Sequence, residues 1–296
     1  MNIRSRGDKW FDAMNVFIML AVVVLTIAPF WFALVGSFNQ GLDYTRGGVY
    51  FWPRTFTLSN YITVFADKTI YHAYFITIMR TVAGTALHVA FTALVAYGMS
   101  RKALAGRNVY MLVMLFTMFF YGGLIPNYLL YKELGLLNHF LVLIIPTLFS
   151  VWDMIIMMSF FRSIPEQIIE SAKIDGAGEY RIFLQLIMPL TKPVLAAIAL
   201  FTGVYHWNAY TDALMFTTKD ALEPVQLFLM RIVTDSGAAS KFGAQAASVM
   251  PEEAKQISPE TLKLAMMLAT TAPILIIYPF LQKYFVKGVL IGSVKG

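Results

Sequence analysis

Ser163-Ile-Pro-Glu-Gln-Ile-Ile-Glu170-Ser-Ala-Lys-Ile-Asp175-Gly-Ala-Gly-Glu-Tyr-Arg-Ile-Phe183-Leu-Gln-Leu-Ile-Met-Pro189-Leu-Thr-Lys-Pro193 is a polar stretch in an oily chain. It lies between two apolar runs long enough to cross a bilayer. Its residues predict two short helices with a break between them. Ser163 followed by Glu166 has capping-box spacing, and Pro165 is tolerated in a first turn. Gly176 can take a positive φ and stop the first helix. In the second, Tyr180, Phe183, Leu184 and Ile187 recur at helical spacing, an apolar stripe on one face. Pro189 is expected to end it. The stretch reads as a helical hook on a membrane surface, with a charged face free for a partner.

Outward from the hook, composition sets the class. Of 296 residues, 58% are hydrophobic and only 14% charged, which excludes an ordinary soluble domain and implies a polytopic membrane protein. The absence of cysteine excludes disulfides and thiol chemistry. A net charge of +6 is modest and gives no reason to expect nucleic acid as a partner. No Gly-x4-Gly-Lys-Ser/Thr pattern occurs, so any ATP-driven work needs another subunit.

Six apolar runs are expected to span the membrane, at about 13–37, 71–99, 108–122, 139–161, 193–214 and 262–285, an all-α integral membrane fold. The first is too long for a signal-peptide core and lacks a small-x-small cleavage site, so it reads as a retained helix. Residues 13–286 then form one transmembrane domain between a 1–12 amino-terminal segment and a 287–296 tail. The hook loop occupies 163–192, and 215–262 is a long polar loop on the opposite side. Basic residues outnumber acidic ones about two to one on the side that holds Arg4, Arg101, Lys102, Arg107, Arg162, Lys173, Lys192 and Lys283. That places the hook and both termini in the cytoplasm.

Two charges, Arg80 and Asp153, fall inside expected spans, where each would cost roughly 2.5–3.5 kcal/mol unpaired. They are expected to pair with each other across the second and fourth spans, or to snorkel to water from a helix end. Tyr205, Trp207 and Asn208 on the fifth span offer ring faces and hydrogen-bond donors of the kind a sugar takes. Tyr121, Asn127 and Tyr128 offer the same. For all six residues the plainer alternative is a Trp/Tyr membrane-interface belt. His72, His88 and His206 lack metal-ligand spacing and read as satisfied helical histidines. Met111, Met114, Met118, Met154, Met157 and Met158 lie at helical spacing and suit adaptable packing at a moving interface.

The hook resembles the EAA loop of ABC-importer permeases. The matching residues are Glu170-Ser171-Ala172, Asp175-Gly176-Ala177, Phe183, Leu186, Met188-Pro189 and Pro193, with Ser171 standing for Ala and Met188 for Leu. Three further stretches carry the same resemblance. Phe56–Tyr61 is similar to the segment before the family's second helix, and Ile125-Pro-Asn-Tyr-Leu129 with Leu134-Gly-Leu136 and Asn138 to an outer linker helix. The last is the tail with Gln282-Lys283, Phe285, Gly288, Gly292 and Lys295-Gly296. Together they cover most of 56–296, and they are most similar to the carbohydrate (oligosaccharide) branch. That branch includes the second permease of the maltose importer and the lipoprotein, alginate and pectin-fragment types.

The resemblance implies a type I ABC-importer permease fold with a cytoplasmic coupling loop, in a bacterial cell membrane. It implies a homologous second permease subunit, two ABC ATPase subunits that carry the ATP and Mg, and an extracytoplasmic solute-binding protein; this chain itself needs no cofactor. Glu170, Ser171, Ala172, Asp175, Gly176, Ala177, Phe183 and Pro189 would couple to the ATPase, Glu170 offering a carboxylate to an ATPase arginine and Gly176 allowing the turn. The rival readings are an ion-gradient-driven secondary transporter working through Arg80 or Asp153, for which no inverted repeat is visible, and a membrane-embedded enzyme, for which no catalytic constellation exists.

Overall fold

A computed structural model describes residues 6–235, 237 and 257–293, the stretch 280–293 as backbone. Among these residues the chain is helical, with one isolated bridge, Asn39 to Phe56. Three helices are long and apolar enough to cross a membrane unaided. They are α1 (Arg6–Ser37), α4 (Lys68–Ser100) and the last helix, α14 (Pro259–Ser293), which runs past the end expected near 285. The other expected spans are broken, and six crossings are reached only if each bent pair is one span.

Each break has a local cause. The third expected span is α5 (Arg107–Phe119), whose 13 residues rise only about 20 Å. Gly123, at φ +91°, then turns the chain by 115° into α6 (Leu124–Glu133), the expected linker helix. The fourth run is not one helix from 139. Two 3-10 turns, Phe140–Leu143 and Ile145–Thr147, meet α7 (Val151–Arg162) at 53°. Pro146 withholds an N–H there, and Ser150 caps α7 by accepting from the Asp153 N–H at 3.2 Å. The fifth span, α11 (Lys192–Asn208), ends earlier than expected, where Ala209 turns extended before α12 (Thr211–Phe216).

The segment expected as a polar loop, 215–262, is not all loop. It contains α13 (Val225–Thr234), which buries Val225, Leu227 and Ile232. The charges of this segment flank an apolar run whose helical spacing the overall polarity concealed. Its residues 236 and 238–256 lie outside the described ones, as do 1–5 and the tail end 294–296.

The chain divides into two compact units. The first holds residues 1–70 and 229–272. Here α1 presents most of its large apolar side chains outward, Trp10, Phe17 and Leu25 among them, as a helix facing lipid does. Beside it, α2 (Gly41–Thr45) and α3 (Ser59–Ala66) close on a buried polar knot. Asn60 donates to the carbonyls of Ser37 and Asn39 and accepts from the Thr261 hydroxyl at 2.9 Å. Every polar atom of that amide thus has a partner, as burial requires.

The second unit holds 71–228 and 273–296. Its main core joins Ala93, Ala96 and Met99 of α4 to Met154, Met157, Met158 and Phe161 of α7 and to Val194 and Ile198 of α11. Ile169, Ile182, Phe183 and Ile187 of the hook belong to the same core. The hook is therefore packed into the bundle rather than hanging from it.

Candidate coupling hook and intramembrane charges

The hook begins differently from its sequence pattern. Ser163 is the last turn of α7, its hydroxyl donating back to the Phe160 carbonyl at 2.8 Å, so no capping box forms. The first hook helix, α8 (Glu166–Ile174), starts after an extended Pro165 without a side-chain cap. Glu166 instead receives Lys102 at 2.6 Å. That pairing holds its carboxyl below the usual range.

The end of α8 follows expectation. Gly176 has φ +78°; its N–H reaches the Lys173 carbonyl at 3.0 Å, and the Ala177 N–H reaches Ala172 at 2.9 Å. This pair of bonds is a Schellman motif, which glycine accommodates without strain. Ala172 and Ala177, the residues at the two ends of the second bond, both pack on the main core.

The second limb corrects two expectations. Pro189 does not end it. The limb runs from α9 (Glu179–Ile182) through π turns at Phe183–Ile187 into α10 (Met188–Leu190). The wider turns accommodate a proline ring that would clash with the carbonyl four residues back in a regular α-helix. They also rotate the apolar stripe. Ile182, Phe183 and Ile187 are buried, while Tyr180 and Leu184 face outward. At Leu190 the limb meets α11 at 80°, so it lies across the helix end as a surface elbow.

The expected coupling residues divide between two faces. Ala172, Ala177 and Phe183 face the core, Phe183 contributing about 1.5–3 kcal/mol by burial. Glu170, Ser171, Asp175, Gly176 and Pro189 are exposed. Sequence reasoning missed Ile174, which is 86% exposed beside Asp175. Tyr180 and Leu184 of the second limb are likewise exposed, so each limb of the hook leaves large apolar side chains uncovered. The signal was present in the spacing, since Ile174 falls off the face of Ile169.

One more link ties the hook to the bundle. Glu179 accepts from Lys173 at 2.7 Å and from the Tyr97 hydroxyl of α4. Both partners hold its carboxyl below the usual range, Lys173 most. The Lys173 pair is half exposed and screened, so it stabilises by less than about 1 kcal/mol. The partly buried Tyr97 bond to a charged acceptor is the stronger constraint. Tyr97→Phe is expected to speed amide hydrogen exchange across residues 166–182 severalfold at neutral pH. Because the Glu179 pKa is depressed, its contribution is complete above the ordinary glutamate range and lost as pH falls through its lowered value. The wild-type/mutant difference should therefore vanish in acid. Equal exchange at pH 7 would show that the bond carries no constraint.

The expected Arg80–Asp153 pair does not form. Arg80 is fully buried and makes a bidentate pair with Asp212, also donating to the carbonyls of Ala209 at 3.0 Å and Leu143 at 3.3 Å. The break after Asn208 frees the Ala209 carbonyl and brings Asp212 within reach, and neither event is visible in an unbroken fifth span. Asp153 sits in the first turn of α7 and pairs with His88 at 3.0 Å, whose other ring nitrogen meets the Thr147 carbonyl at 2.8 Å. His72 is likewise bonded, to Ala221. His206 departs from the expectation: it is buried with neither ring nitrogen hydrogen-bonded. Gly84 lies against its ring, where a Cβ would come within 2.4 Å, so α4 and α11 approach closely there.

The candidate sugar-facing residues are not on one surface. Tyr205 and Asn208 are exposed on α11, and Tyr205 lines a cavity of about 380 Å³ with His88, Asp153 and Phe149. Trp207 is buried on another face, lining a mostly apolar groove with Thr85 and Gly203. On the outer linker, Tyr121 is 79% exposed, Asn127 half-buried and Tyr128 exposed, its ring 6.3 Å from Phe216.

The family described as "Binding-protein-dependent transport system inner membrane component" matches residues 1–291. The chain belongs to this family. The permease is 37% identical over 292 residues to Protein LplC of Bacillus subtilis (strain 168), covering 99% of this chain and 97% of the relative. It is 36% identical to the polygalacturonan/rhamnogalacturonan transport system permease protein YtcP of the same organism, covering 98% and 99%. A crystal structure of a bacterial ABC transporter involved in the import of the acidic polysaccharide alginate superposes with a TM-score of 0.90 at 30% identity, covering 96% of this chain and 100% of that one. This permease is thus an integral, multi-pass inner-membrane component of a binding-protein-dependent ABC transporter. It is a translocating subunit and not a catalytic one. The secondary-transporter and membrane-enzyme readings fall with that membership.

Proposed function

We propose that this permease imports oligosaccharides or related carbohydrate fragments, as one half of a pore formed with a homologous second permease. An extracytoplasmic solute-binding protein delivers the sugar. Two ATPase subunits, which carry the ATP and Mg, grip the pore from below, and both termini of this chain face them. The relatives named for galacturonan and alginate support the substrate class. The aromatic and polar side chains Tyr121, Asn127, Tyr128, Tyr205, Trp207 and Asn208 are candidates for the sugar path, Trp207 from a buried position on α11.

One observation carries the coupling role. The outer face of the hook exposes Ile174, Tyr180 and Leu184 among Glu170, Asp175 and Arg181, while its inner face is fused to the core of α4, α7 and α11. Large apolar side chains left exposed among charged ones are what a docking surface offers a partner. Closure of the ATPase dimer would pull the hooks, and the helices fused to them would rock. The test is co-purification after co-expression with the ATPase. Ile174→Asp is expected to release the ATPase while membrane abundance of the permease stays normal. Undiminished ATPase recovery, or labelling of a cysteine at 174 only from outside the cell, would refute the role.

A further inference from the structure

Where α4 ends, α5 begins and α7 ends, the permease forms an open cavity of about 630 Å³ on the hook's side of the bundle. Its walls carry Arg101, Lys102, Arg107 and Arg162 and a single carboxylate, Glu166. Lys102 already occupies that carboxylate. Arg162 donates to the Met99 carbonyl at 3.2 Å, and no carboxylate answers it. Arg101 lies 4.2 Å over the Tyr97 ring, with Nε and Nη2 buried and without hydrogen-bond partners. Among the described residues, Arg101, Arg107 and Arg162 form no ion pair. Three guanidinium groups and Lys102 thus line one space with a single carboxylate, Glu166, among them, an excess of positive charge whose mutual repulsion an anion would relieve.

The position selects the anion. Three helix ends meet here, and the ends of membrane-spanning helices are where the hydrocarbon gives way to the lipid phosphates. Guanidinium forks match phosphate oxygens in pairs. A second cavity of about 400 Å³, lined by Lys102, Arg107 and Asn108, continues the basic surface. Below it α5 exposes Val109, Leu112, Val113 and Phe116, an apolar strip on which acyl chains can lie. We propose that this cavity binds a phosphate-bearing anion, presented as the headgroup of an anionic lipid. Binding itself does not depend on the substrate or the coupling mechanism proposed above. A bound lipid would brace α4, α5 and α7 against the base of the hook.

The test is native mass spectrometry of the assembled transporter titrated with phosphatidylglycerol, with phosphatidylcholine as the neutral arm and inorganic phosphate as the free-anion arm. The wild type is expected to retain phosphatidylglycerol over phosphatidylcholine. Arg107→Gln with Arg162→Gln should weaken that retention roughly tenfold or more, leaving phosphatidylcholine unaffected. The single variant Arg107→Gln serves should the double variant fail to assemble, and it should show an intermediate loss. Unchanged retention in either variant overturns the site. Displacement of the lipid by equimolar inorganic phosphate overturns the lipid source in favour of a free anion. Retention by the isolated permease that disappears in the assembled transporter overturns it in favour of an ATPase carboxylate.

Discussion

Gly176→Asp is expected to abolish ATP-driven uptake while the permease still reaches the membrane in normal amount. The residue sits at φ +78° and completes the Schellman turn that separates the limbs of the hook. A left-handed conformation costs most residues about 1–2 kcal/mol, and aspartate tolerates it better than most. Among the described residues, nothing lies within 4 Å of a Cβ at this position. The chain can therefore fold around the substitution, and the damage falls on whatever docks there. A carboxylate would be added beside Asp175 on the face that the ATPase is proposed to grip. Gly176→Asn keeps the tolerance for the turn and omits the charge, so it should retain intermediate uptake. Uptake in membrane vesicles, ATPase rate and membrane abundance, measured together, separate uncoupling from misfolding. Normal uptake in Gly176→Asp would remove the hook from the mechanism.

Asp212→Ala is expected to do the opposite: to lose folded permease. It would leave the Arg80 guanidinium buried with two carbonyls and no counter-charge. Removing one partner of a buried ion pair costs about 3–5 kcal/mol, a large share of the roughly 5–15 kcal/mol that holds a domain together. Arg80→Met with Asp212→Leu removes both charges and should recover most of the loss. The measurement is thermal unfolding of the detergent-solubilised permease with its expressed yield. A single mutant melting within about 2 °C of wild type would mean that water, not Asp212, neutralises Arg80.

How far the sequence reached depended on whether a feature was local. The hook's turn was legible because glycine at Gly176 and the alanines around it act within a few residues of each other. That the chain is a polytopic helical membrane protein with up to six crossings was legible from its apolar runs, but their breaks were not. Hydropathy is blind to the backbone, so the 115° turn at Gly123 and the π turns before Pro189 escaped it. The pairing of Arg80 failed for a related reason. Its partner Asp212 lies 132 positions away, beyond a helix end that the pattern had placed later. Of the coupling set, the pattern identified the stretch but not which side chains face in. That sorting followed from the π turns, which rotate Leu184 outward and leave Phe183 inside.

The methionines of α7 that share a core with the hook bear on the energetics of a moving pore. Met154, Met157 and Met158 fill the space where the elbow meets the bundle. Unbranched thioethers can change rotamer to follow a neighbour's shift without opening a void. A tilt of the elbow against α7 would then exchange one well-filled arrangement for another of similar free energy. On the coupling proposed above, such a joint would leave nucleotide binding with little resistance to overcome, and the bias between states would come from the ATPase and the delivered solute rather than from the permease's own packing.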